Sequence, residues 1–314
     1  MENIYLDEIQ KTAAAMENHA GQFRFALVAD SHMDDSVPQT VANMAAVDAI
    51  APFDCVIHLG DMINGNIPKR YSQIMLDQQM ALFRQATGSG RLYPVMGNHD
   101  EHIGGCTARF WQDATAFLAG DSAVCRPGAE AYFYVDDPAR KIRLVVISSF
   151  FYQYREDGKR TKPFGISPEQ IAWLENQALA VDGDWTVLLF SHDTPFSEFD
   201  ESRFLTENRK VNGTLAIETL LRAKQLRGFR LAGWLVGHYH GDLIARLGGI
   251  PFILIGDQTA YTPQLWVMPQ GGCYYDRQPG TVTEDLWDAV AVDTENRKLH
   301  LYRFGAGQDR VVEF

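Results

Sequence analysis

Short apolar runs that stop at a histidine, an aspartate or an asparagine constrain this chain more than anything else in it. Phe23-Arg24-Phe25-Ala26-Leu27-Val28-Ala29 ends in Asp30-Ser31-His32, and Asp54-Cys55-Val56-Ile57-His58-Leu59 ends in Gly60-Asp61. Arg91 to Met96 runs into Gly97-Asn98-His99-Asp100, Trp185 to Phe190 into Ser191-His192, and Leu231 to Val236 into Gly237-His238-Tyr239-His240. Runs of this length, bounded by turn residues, read as buried strands. The segments between the first three have helical character: Val37 to Ala51, with Val41, Met44, Val47 and Ile50 on one side and Pro52 behind it, and a second within Ile67 to Thr87. Strand, helix, strand, helix, strand is the pattern of parallel βαβ units. Ligands in open α/β sheets bind at the carboxyl ends of the strands, where all these polar endings fall.

The remainder is mixed. A short helix is expected near Thr107 to Leu118, and Ala131 to Val135 should pair with Lys141 to Ser148 around Asp136-Asp137-Pro138. Ser167-Pro168-Glu169-Gln170 is a helix start, with a serine cap, proline in the first helical position and glutamine in the third. A further helix is expected from Thr214 to Leu226, a hairpin from Leu243 to Ile255 across Gly248-Gly249, and a last hairpin from Trp287 to Tyr302. Gln258 to Thr283 reads as a long loop. With no repeat, low-complexity tract or linker in 314 residues, the expectation is an N-terminal extension, residues 1–22, and a single domain, residues 23–314.

The net charge of −12 and pI near 5.2 argue against a nucleic-acid surface, which needs clustered Lys and Arg. No apolar run approaches the ~20 residues of a membrane span. Met1 to Gln22 has no apolar stretch of the kind a secretory leader carries. Cys55, Cys106, Cys125 and Cys273 show no CxxC spacing and read as reduced thiols of a cytoplasmic protein, Cys106 being an inert thiol close to the His99 cluster.

Gathering so many imidazoles and carboxylates at one sheet edge without a cation would be costly. Oxygen and nitrogen donors of this kind suit divalent first-row metals such as Mn, Fe, Zn or Ni. The joint pattern Asp30-x-His32, Gly60-Asp61, Gly97-Asn98-His99-Asp100, His192 and Gly237-His238-x-His240 resembles the calcineurin-like metallophosphoesterases, with the blocks in the family's order. The ending Tyr302 to Arg310 is similar to tails of bacterial and phage members.

The resemblance implies a four-layer α-β-β-α sandwich of two mixed sheets with a dinuclear centre at one edge. By position, Asp30, His32 and His240 would bind one metal, Asn98, His192 and His238 the other, and Asp61 both. The ions would be divalent or mixed-valence transition metals ~3.5–4 Å apart, sharing a water or hydroxide that attacks phosphorus. With two dications the site would carry about +1 and attract phosphate despite the acidic chain. His99 would protonate or hydrogen-bond the leaving oxygen, and Asp100 would orient its ring. The expected activity is hydrolysis of a phosphate mono- or diester of a small soluble substrate, with no membrane partner. The alternatives are a nuclease and a non-catalytic, metal-stabilised scaffold; the acidic balance opposes the first and the presence of His99 the second.

Other residues read more plainly. His58 is a core histidine or one behind the ligands; His102, Asp34 and Asp35 are loop residues; Tyr239 is a spacer. Asp193 either orients His192 or faces solvent. Trp173 and Leu174 belong to a helix core face. Phe150, Phe151, Tyr152 and Tyr154 could floor a flat group or simply pack, and Arg155, Lys159 and Arg160 could meet a second phosphate or solvate a loop.

Overall fold

The computed structural model describes residues 4–65, 68–100, 108–128, 130–151, 164–259, 268–269 and 271–314. His102, Cys106, Tyr152, Tyr154, Arg155, Lys159 and Arg160 lie outside them. Two mixed sheets face each other, and helices cover the outer side of each. This is the sandwich expected from the sequence.

The first sheet is built on β1 (Phe23–Val28), β2 (Cys55–His58) and β3 (Leu92–Pro94), which run parallel. The crossovers are α2 (Val37–Asp48) and α3 (Lys69–Phe83). On the other side of β1 the chain adds β11 (Leu286–Asp293), β12 (Lys298–Gly305) and β13 (Arg310–Glu313), all antiparallel to their neighbours. In the second sheet β6 (Ile142–Val146), β7 (Thr186–Ser191), β8 (Arg230–Val236) and β10 (Ile250–Leu254) are parallel. It is flanked by antiparallel β5 (Phe133–Asp137), with β4 (Val124–Cys125) beyond it, and by β9 (Leu243–Leu247).

Two-residue alternation sorts the side chains into three apolar layers. In β1, Ala26 and Val28 face α2 and α3, while Phe23, Phe25 and Leu27 face the other sheet. In β7, Val187 and Leu189 face outward onto helices, while Leu188 and Phe190 meet the first sheet, Phe190 edge-on to Phe25. The outer cover of the second sheet comes from α5 (Pro168–Trp173), which continues as one π turn through Ala178, and from α6 (Gly213–Arg227). The Ser167 hydroxyl accepts the Gln170 N–H, as the cap signature predicts, and Trp173 and Leu174 are buried.

Two differences from expectation have packing causes. Residues in the expected N-terminal extension form α1 (Leu6–Glu17), whose Ile9, Ala13 and Met16 are buried in the layer that contains Trp287 and Phe304. Its polar composition describes only its outward side. The chain end adds β13, which the charged residues around it disguise; Arg303 and Arg310 are turned inward onto Asp242 and Asp288. No helix among the described residues is long and apolar enough to cross a membrane.

Candidate metal centre

Because β1, β2 and β3 are parallel, and β7 and β8 are parallel, their carboxyl ends bring five polar loops to one edge of the sandwich. Asp30 and His32 follow β1, Asp61 follows β2, Asn98 and His99 follow β3, His192 follows β7, and His238 and His240 follow β8. The loops are held tightly together. Asp30 N–H donates to Gly60 O at 3.0 Å, His32 N–H to Asp61 O at 2.9 Å, and His238 N–H to Asp30 Oδ2 at 3.0 Å.

The approach leaves no space for two side chains. A Cβ on Gly97 would lie 2.1 Å from both the amide nitrogen and Oδ1 of Asp61. One on Gly60, whose φ is +100°, would lie 2.7 Å from His192 Nδ1. The neighbouring polar residues are themselves strained: Asp30, His32, Asp61, His238 and His240 all have φ between +45° and +67°. Left-handed backbone costs a non-glycine residue roughly 1–2 kcal/mol. Its concentration at one set of side chains marks a site where geometry is held against local preference.

The side chains form two adjoining groups. His240 Nε2 is 3.4 Å from Asp30 Oδ1 and 3.4 Å from His32 Nε2. His192 Nε2 lies 3.0 Å from Asn98 Oδ1, 3.2 Å from His238 Nδ1 and 3.3 Å from Asp61 Oδ2. Asp61 Oδ2 also sits 3.9 Å from His32 Nε2 and 3.8 Å from His99 Nε2, so this one oxygen lies between the groups. Asp30 Oδ1 is buried without a hydrogen-bond donor. An unpaired buried carboxylate oxygen facing imidazole nitrogens is a donor set suited to a cation. The residues therefore fit divalent metal ions.

Two histidines are fixed in opposite tautomers by the backbone. His192 Nδ1 is 2.8 Å from Leu59 O, a pure acceptor, so Nδ1 carries hydrogen and Nε2, facing the cluster, is the nitrogen left for a metal. At His99 the partner is a donor: Gly65 N–H points to Nδ1 at 3.2 Å. Nε2 then bears the proton in the neutral ring, toward Asp61 Oδ2.

The electrostatics follow from burial and crowding. Burial drives the His192 pKa down, but Asp61 and Asp30 outweigh it and raise it to about 10 in the ion-free cluster. Asp61, for which burial acts upward, is pulled well below the usual carboxylate range by His192, His99 and His32. Protons thus occupy positions from which a metal would displace them.

The Asp100 carboxylate does not orient His99 through any hydrogen bond among the described residues. It accepts the N–H groups of Met62 at 2.8 Å, Ile63 at 3.2 Å and Gly97 at 2.9 Å, tying the β2 and β3 loops together. Asp193 is buried, paired with Lys210 and accepting the Thr194 N–H, rather than solvent-facing. His58 is fully buried behind the site, bonded to Ser31 Oγ and accepting the Gly60 N–H. Phe150 packs against His192 and Phe164, and Phe164 against His238, as a wall of the site. Tyr239 packs against Phe199, with its hydroxyl on Thr194. Asp257 was not expected at all. It lies just past β10, with Oδ2 3.5 Å from His240 Nδ1, and only its place beyond an apolar run hinted at it.

The sequence profile of the calcineurin-like phosphoesterases matches residues 23–242, which include the five polar loops after β1, β2, β3, β7 and β8. The chain belongs to the calcineurin-like phosphoesterase family. It is accordingly a metal-dependent phosphoric ester hydrolase, and membership implies divalent metal ions at the Asp/His clusters. No curated protein sequence matches it. Among solved structures it is similar to a dimetal phosphatase from Danio rerio, at 16% identity and TM-score 0.62, covering 93% of this chain and 99% of that one. It is also similar to GAP50, the anchor in the inner membrane complex of Plasmodium, at 11% identity and TM-score 0.52, covering 92% and 90%. At these identities the likeness is one of fold.

Proposed function

We propose that this phosphoesterase hydrolyses a phosphate mono- or diester of a small soluble substrate at a dinuclear centre. Asp30, His32 and His240 would hold one ion, Asn98, His192 and His238 the second, and Asp61 both. The observation that carries the reading is the position of Asp61 Oδ2, within 4 Å of His192 on one side and of His32 on the other. When bound, ions of the Mn, Fe, Zn or Ni class supply an activated water and neutralise charge on phosphate oxygens.

The chain's own groups do the rest. The Leu59 carbonyl keeps the His192 lone pair aimed inward. Gly65 N–H keeps the His99 proton on Nε2, where it can donate a hydrogen bond to the leaving oxygen and stabilise the charge that develops there. Phe150 and Phe164 keep bulk water from one side of the histidines. The net charge of −12 speaks against a nucleic-acid substrate.

Metal-stripped protein reloaded with Mn²⁺, Fe²⁺, Zn²⁺ or Ni²⁺ should hydrolyse nitrophenyl phosphate, bis-nitrophenyl phosphate or both, with two ions bound per chain. A single ion per chain at full activity would refute the dinuclear reading. Cleavage of single-stranded DNA in preference to these esters would move the substrate to nucleic acid.

A further inference from the structure

His240 has a ring nitrogen that the proposed ligand set does not use. Its Nε2 faces Asp30 and His32, while Nδ1 points the other way, is buried, and has no hydrogen-bond partner. Among the described residues, the carboxylate that faces Nδ1 is Asp257, with Oδ2 at 3.5 Å. A ligating imidazole needs its second nitrogen protonated and directed at an acceptor, or both ring orientation and basicity are lost.

The segment carrying Asp257 is fastened unusually firmly. Arg277, half-buried, gives its guanidinium hydrogen bonds among the described residues to backbone carbonyls. It donates to Asp257 O at 2.7 Å, Gln258 O at 2.5 Å and Thr259 O at 2.8 Å, and on its far side to Thr283 O and Glu284 O. Three consecutive carbonyls held by one planar cation leave residues 257–259 little freedom. The same segment grips the loop after β1: Gln258 N–H donates to Ala29 O at 2.9 Å, and Thr259 Oγ1 to Asp34 Oδ2 at 2.8 Å. Arg277, Asp257 and the Asp30–His32 loop are therefore one connected unit, on the side of the site that holds His240.

We propose that Asp257 is a positioning residue for His240, accepting a hydrogen bond from Nδ1–H so that Nε2 presents its lone pair to the ion shared with Asp30 and His32, and that Arg277 holds Asp257 in place. The closing of a 3.5 Å gap to hydrogen-bond distance is the only movement required. This rests on the reading of His240 as a metal ligand.

Ion affinities of the wild type, Asp257→Ala, Asp257→Asn and His240→Ala separate the two ideas, measured by competition with a chromophoric chelator. Asp257→Ala should weaken one ion about 10- to 100-fold and leave the other unchanged. Asp257→Asn, whose amide oxygen still accepts, should lose less. In Zn²⁺-loaded protein the His240 Nδ1 proton should be visible by ¹H–¹⁵N NMR in the wild type and exchange-broadened in Asp257→Ala. Unchanged affinities and an unchanged Nδ1 signal in Asp257→Ala, with one ion lost in His240→Ala, would overturn the role of Asp257 and leave the ligand set standing. Two ions retained by His240→Ala would overturn the ligand set itself. Should the alanine variant not fold, the asparagine variant decides, wild-type affinity and Nδ1 signal counting against the proposal.

Discussion

At the scale of single residues, chemically identical side chains are given different tasks by the backbone beside them. His192 and His99 both turn Nε2 toward the site, yet Nδ1 faces a carbonyl in one and an amide in the other. His99→Ala should therefore lower kcat by about 10²- to 10³-fold while both ions stay bound, since it removes a hydrogen-bond donor to the leaving oxygen and no ligand; kinetics with metal analysis on the same sample checks this. Gly97→Ala should act in the opposite manner. Its Cβ would overlap Asp61 backbone and carboxylate, so stability should drop by about 3 kcal/mol, the upper end of overpacking costs, and metal binding should go with it. His58 supplies a pH test. Burial lowers its pKa to about 3, so the folded state keeps it neutral while the unfolded chain protonates it near ~6.5. Below ~6.5 the unfolded state binds more protons, and the stabilisation that His58 gives at neutral pH is lost between there and about 3, by about 1.4 kcal/mol per pH unit. Urea unfolding at pH 7 and pH 5 should show this loss in wild type and a shallower one in His58→Gln. The residue types of the site were legible in the sequence because strand ends concentrate polar side chains. The tautomers, the left-handed φ values and Asp257 were not, because each depends on a partner from another loop.

At the scale of elements, local pattern and long-range pairing parted company. Short apolar runs announced β1, β7 and β8, and the serine–proline start announced α5, because these signals lie within a few residues of one another. Nothing near β1 says that its antiparallel neighbour is β11, more than 250 residues later, although Ala26 lies opposite Ala289 in the register. α1 was hidden for a related reason. Four of its residues are buried among eight that are not, which reads as a polar extension until its partners on sheet one are known. The consequence is measurable. Met16 is fully buried at the end of α1, so Met16→Ala should cost about 2–4 kcal/mol, as for an ordinary core methionine. A change within ~0.5 kcal/mol in denaturant unfolding would mean that α1 is a detachable extension after all.

At the scale of the whole molecule, the two sheets meet at the site edge through aspartates and histidines crowded more closely than their own hydrogen bonds require. The outer layers and the inter-sheet layer are apolar and close by themselves, but the loop edge holds aspartates, orphaned Asp30 Oδ1 among them, and crowded histidines. Metal should therefore add to global stability as well as chemistry. A ligand present at 100 times its Kd stabilises the fold by about 2.7 kcal/mol per site. For 314 residues, at about 2.1 cal/mol/K per residue, that corresponds to roughly 4 °C in Tm for each ion. Chelator-treated protein should melt lower by about twice that, and re-addition of Mn²⁺ or Zn²⁺ should restore it in two steps if the ions bind with different affinities. Because the neighbouring aspartates raise the His192 pKa to about 10, uptake should also release protons, at pH 6.5 and at pH 8.5 alike. Calorimetry in buffers of different ionisation enthalpy reads that number directly. A Tm indifferent to chelator, with no proton released at either pH, would mean that the edge is held by its backbone bonds alone and that the crowded side chains have no cation to organise them.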